Sequence, residues 1–253
     1  MLHDSLTPDE IVDSEAALEF MKEATKLAST AELESIGWRL EKKSALFQEI
    51  LRRDAIESLD EVSLARLMKM MFSLKRKSKR VLRANGLAKL RTELQELLYG
   101  DGLPGDRLGG FVSRIEGVEE AMALSMASET LHFNDPTRHW LWTHWIWNPT
   151  SGIGALKLVV QEEVDLAGAN AGEIYQKVGE AMAYVTAAGQ TVGYSRSGRG
   201  LFGTDVFLAC VYAVYMYTVF RVKLSQEFNR ILPELPELVE RVLGVHGIGE
   251  PNV

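Results

Sequence analysis

Residues 87–98 read LAKLRTELQELL, and this stretch sets the reading of the chain. Leu87, Leu90, Leu94, Leu97 and Leu98 recur every three or four positions, which places them on one face of a helix and leaves Lys89, Arg91, Glu93 and Glu96 for the others. The same spacing appears on both sides. Ala17, Phe20, Met21, Ala24, Leu27 and Ala28 form a second stripe, and Leu33, Ile36, Leu40 and Phe47 a third. Leu64, Leu67, Met68 and Met71 form a fourth, and Ile174, Val178, Ala181, Met182 and Val185 a fifth. No proline falls between Asp9 and Leu103 or between Thr150 and Leu232, so nothing covalent interrupts helices over those tracts. The fold class read from this is mainly α, multi-helical and globular, with at most a minor strand at Ala155–Val160.

Helix ends are marked as well. Thr7-Pro8-Asp9-Glu10 offers an N-cap, a proline at the first helical position and acids in the first turn. Asn85-Gly86 separates the segment before it from the Leu87 helix. GDGLPGDRLGG, at 100–110, holds five glycines and a proline and reads as a break. It divides an N-terminal helical region, residues 1–99, from a C-terminal region, residues 111–253. The two are compatible with one shared core or with two subdomains.

Composition sets the class. With 46% hydrophobic and 25% charged residues the chain has enough apolar matter to fold, which excludes a disordered polyampholyte. Cys210 is the lone cysteine, so no disulfide forms within the chain, and residues 1–10 show no basic-then-apolar leader. The expectation is a soluble, cytoplasmic protein. Val206–Phe220 is free of charge, but its 15 residues fall short of the roughly 20 needed to span a bilayer. It reads as a buried helix from Thr204 to Leu224, without membrane insertion. Being apolar on all sides, it needs cover from neighbours or from a second copy, so a homo-oligomer is one expectation.

The net charge of −7 conceals an island. Residues 75–91 carry eight basic groups and no acid, while the rest of the chain sums to −15. Its centre is Leu74–Arg83, LKRKSKRVLR. On a helix, Arg76, Arg80 and Arg83 share a face beside Lys75 and Lys79, with Lys77 on the same segment. Leu74, Val81 and Leu82 would dock the other side. The surroundings suggest three short helices, Glu61–Phe72, Leu74–Ala84 and Leu87–Leu98. Such a face neutralises phosphates, or meets an acidic protein partner, and its binding would depend steeply on salt.

Two further clusters carry possible chemistry. His132–Pro149, HFNDPTRHWLWTHWIWNP, concentrates tryptophan and histidine, and Arg138, His139, Trp142 and His144 are its candidate ligand-pocket residues. Glu129-x-x-His132 has a metal-site spacing, but it occurs once, and with Asp135, His139 and His144 it makes no standard zinc pattern, so no metal and no cofactor is expected. Gly193–Asp205, GYSRSGRGLFGTD, places Arg196, Gly198, Arg199 and Thr204 before the apolar helix, an order suited to a phosphorylated small molecule. Arg199 and Gly200 stand where a nucleotide-hydrolysing loop has Lys and Ser/Thr, which argues against that activity.

Residues 115–147 resemble the helix-hairpin-helix core of base-excision DNA glycosylases. Ile115-Glu116-Gly117-Val118-Glu119 stands at the hairpin, Ala121–Phe133 at the following helix, and Leu141-Trp142-Thr143-His144-Trp145 at the segment that holds the family's catalytic aspartate. Glu119 replaces the second hairpin glycine, and Trp142 replaces the aspartate. The resemblance therefore implies a helical relative without glycosylase chemistry.

Three functions follow as expectations. One is a non-catalytic binding or adaptor protein that contacts nucleic acid or an acidic partner through the basic helix. Another is an enzyme or sensor for an anionic small molecule at 193–204, with Arg138 and His139 contributing. The third is a structural subunit of a helical oligomer.

Overall fold

The computed structural model describes residues 8–192, 200–223 and 233–249. Among the described residues it is mainly helical, with no strand or sheet. Two isolated antiparallel bridges, Val12 with Val160 and Asn148 with Ile153, are the only β pairings among those residues. The chain forms two compact units: residues 1–40, 145–164 and 180–253 make the first, and residues 41–144 and 165–179 the second.

In the first unit, α1 (Pro8–Ile11) is a single turn and α2 (Ser14–Leu27) follows it. Asp13 caps α2, its carboxylate accepting from the Ala16 amide at 2.9 Å. The opening of α3 (Thr30–Ile50), the end of α9 (Ala171–Val192), α10 (Gly203–Lys223) and α11 (Leu235–Leu243) complete the unit's helices. α10 contains the charge-free segment Val206–Phe220, and it is covered within its own unit by α2 and α11. Val206 to Val211 are all buried, and burial pushes the Cys210 thiol up to about 12. The Ala155–Val160 segment is not a strand. Leu156–Leu158 makes a 3-10 turn, and no neighbouring strand offers Val160 more than its one bridge to Val12. Gly154 has φ +157°, and a Cβ there would lie 2.3 Å from the Ile146 carbonyl oxygen, so only glycine closes this loop.

The second unit holds the remainder of α3, α4 (Glu61–Lys69), α5 (Ser78–Asn85), α6 (Leu87–Tyr99), α7 (Pro104–Arg114), α8 (Glu120–Asn134) and the start of α9. α6 packs on α5, α7 and α8, and α7 packs on α8. Leu90, Leu94 and Leu97 are buried, as their spacing predicts. α8 is buried continuously from Ala123 to Phe133, so it serves as the unit's central element. The glycine-rich stretch ends α6 but does not stay irregular. Pro104 takes the first position of α7, where its missing N–H costs nothing, and Gly105, Gly109 and Gly110 continue as helix. Gly105 lets backbones approach: a Cβ there would stand 2.8 Å from the Gly172 carbonyl oxygen.

Candidate nucleic-acid interface

The basic island lies wholly in the second unit and is only partly helical. α4 stops at Lys69 and α5 starts at Ser78, so Lys75, Arg76 and Lys77 lie on the turns between them, where one continuous helix from Leu74 is expected from sequence. The cause is local. The amides of Leu74 and Lys77 reach back three residues, to Met71 and Leu74, which winds the backbone tighter than an α-helix. Like charges at Lys75 and Lys79 and at Arg76 and Arg80 would also oppose each other across one helical turn. Leu74 and Val81 are buried and anchor the segment, as the apolar positions predict, whereas Leu82, expected beside them, is half-buried, and the polar Ser78 is buried with them.

Structure sorts the eight cations of residues 75–91 into two groups. Arg91 donates to the Leu59 carbonyl at 2.6 Å, and Lys89 pairs with Glu116 at 2.9 Å. Lys75, Arg76, Lys79, Arg80 and Arg83 are exposed and Lys77 is half-buried. No acidic side chain among the described residues pairs with any of these six. Their position is set by a clamp. The Asn85 side-chain amide donates to the Val81 and Glu116 carbonyls at 2.9 Å, and the Glu116 amide donates back to Asn85 Oδ1 at 3.0 Å. This fastens the end of α5 to the turn Ile115–Glu119, which joins α7 to α8. Gly117 in that turn has φ +81° and lies against α5, since a Cβ there would meet Ala84 Cβ at 2.6 Å.

Arg138 and His144 are exposed, whereas His139 and Trp142 are buried. Trp142 is 1% exposed, and its amide donates to Ser128 Oγ at 2.6 Å. His132 Nδ1 lies 2.8 Å from the His139 carbonyl, which only accepts, so Nδ1 carries the proton. Burial above all, with help from the Arg107 charge, lowers His139 to about 4 and keeps it neutral at pH 7. Among the described residues no three His, Cys, Asp or Glu side chains gather as a metal site.

Of the residues proposed for anion binding, Arg196, Gly198 and Arg199 lie outside the described residues. Thr204 is buried in the first turn of α10, where its hydroxyl shares a 2.7 Å hydrogen bond with Thr186. Asp205 beside it is also buried, and its carboxylate already brings negative charge to the positive end of that helix.

One polar pair is not evident from the apolar stripes. Lys43 is 0% exposed, and its Nζ donates to Glu129 Oε2 at 2.7 Å while lying 4.0 Å from the centre of the Phe133 ring. The signal for it is in the chain: Lys43 falls between Leu40 and Phe47 on the third apolar stripe, a position that a lysine fills only with a partner. Glu129, whose spacing to His132 suggests a metal ligand, is that partner. A surface cleft of about 720 Å³ lies between α7 and the start of α9, and its charged lining side chains, Asp106 and Glu120, are acidic, so it does not extend the cationic surface.

Comparison of the chain with known protein families, with characterised proteins and with solved structures gives no match. No helix among the described residues is long and apolar enough to cross a membrane.

Proposed function

We propose that this chain is a non-catalytic binding protein that engages the phosphate backbone of nucleic acid through Lys75, Arg76, Lys77, Lys79, Arg80 and Arg83. The observation that carries the reading is six cations within residues 75–83, without an acidic partner among the described residues, in a protein whose net charge is −7. Six like charges without acidic partners repel one another in the free protein. A phosphate chain removes that repulsion and releases its own counterions, which supplies both affinity and salt dependence. The Asn85–Glu116 clamp fixes the backbone of α5, which carries Lys79, Arg80 and Arg83, so less backbone ordering opposes binding at those three cations.

The test is binding of a labelled oligonucleotide of about 20 nucleotides, followed by fluorescence anisotropy from roughly 50 to 200 mM salt. The unmodified chain binds, with log K falling linearly against log salt. Replacing Arg76, Lys79, Arg80 and Arg83 by Gln makes the slope shallower by roughly 0.7–0.9 for each phosphate that is no longer neutralised. Absence of binding by the unmodified chain, or an unchanged slope in the variant, overturns the proposal.

A further inference from the structure

Phe72 is 56% exposed, unusual for a large aromatic side chain that sits between two buried neighbours, Met71 and Leu74. Its place explains the exposure. The Lys75 amide donates to the Met71 carbonyl at 3.0 Å and closes a turn in which Phe72 is the first interior residue. Met71 and Leu74 point inward, and Phe72, Lys75 and Arg76, at positions i, i+3 and i+4, are exposed. Exposed Arg66 and Lys69 precede the ring in the chain, so it is flanked by cations on both sides in sequence. No ring or cation within the described residues stacks on it.

On the reading that the island binds nucleic acid, we infer that Phe72 is a stacking platform for an unpaired base, so that the surface selects single-stranded over duplex nucleic acid. The reason is geometric. A base in a duplex has both faces occupied by its neighbours and offers an aromatic ring nothing to cover. A base in a single strand can swing onto the ring while the flanking phosphates meet Lys75, Arg76 and the cations of α5. The charge around Phe72 favours this occupant over an apolar segment of a partner protein, which would have to desolvate those cations unpaired.

The experiment compares the full chain with its Phe72→Ala, Phe72→Leu and Phe72→Trp variants. Each is titrated with one mixed-sequence single strand of about 20 nucleotides and with the duplex it forms with its complement, and the salt series is repeated on the single strand. The unmodified chain binds the single strand more tightly. Phe72→Ala and Phe72→Leu each weaken single-strand binding about fivefold or more, leave duplex binding within about twofold, and keep the salt slope because no cation is removed. Phe72→Trp retains single-strand binding. Equal weakening on both nucleic acids, a Leu variant that binds like the Trp variant, or a duplex preference in the unmodified chain overturns the inference and leaves the phosphate-binding reading standing. No binding to either nucleic acid overturns both.

Discussion

Lys43 Nζ donates to Glu129 Oε2 at 2.7 Å inside the second unit, with the lysine wholly shielded from solvent. Burial raises the Glu129 carboxyl above the ordinary carboxylate value, and the nearby Lys43 charge works in the opposite sense. Removing one partner strands the other charge in an apolar environment. Lys43→Met and Glu129→Leu should therefore each cost about 3–5 kcal/mol, and the double variant well below the sum, because it removes both buried charges together. Urea unfolding of the four proteins checks this. Additive effects would show that the pair is not coupled.

His139 makes stability depend on pH in the mildly acidic range. Its folded value of about 4 lies below the ordinary 6.5, so between those values the unfolded chain holds the extra proton. Stability contributed by the neutral ring is fully present above pH 6.5 and is lost as pH falls toward 4. The full shift would correspond to about 3 kcal/mol, and partial solvation of the ring reduces the expected loss to about 2 kcal/mol. Between pH 7 and pH 4.5 the unmodified chain should lose that much more unfolding free energy than His139→Gln. Parallel pH profiles for the two proteins would defeat the assignment.

Gly117 holds the turn that braces the cationic helix. At φ +81° an alanine is strained, and its Cβ would lie 2.6 Å from Ala84 Cβ. Gly117→Ala should cost about 1–3 kcal/mol. Adding Ala84→Gly relieves the clash but not the backbone strain, and itself costs about 0.5–1 kcal/mol in a helix, so recovery should be incomplete. Thermal unfolding measures both. A Gly117→Ala protein with an unchanged Tm would mean that the turn does not depend on this conformation.

Most of the helical framework was legible because its causes are local. A stripe of apolar residues every three or four positions, Pro8 at the start of α1 and Asn85-Gly86 between α5 and α6 act within a turn of where they stand. Where local reading failed, other forces decided. The break expected at 100–110 became half helix because glycines tolerate a helix that needs close backbone approach, as between Gly105 and Gly172. The basic helix gives up its first turn to tighter winding above the buried Leu74.

The candidate interface divides in the same way. The sequence by itself determined that residues 75–91 are cationic and that Leu74 and Val81 anchor them, since charge and spacing are properties of the chain. Only the tertiary structure decided which cations remain available. Arg91 is taken by the Leu59 carbonyl 32 residues away and Lys89 by Glu116, while Lys43 is consumed by Glu129, 86 residues along the chain. An ion pair or a buried hydrogen bond depends on which side chains the packing of helices brings within about 3 Å, and residues distant in sequence reach that separation only once the helices have packed.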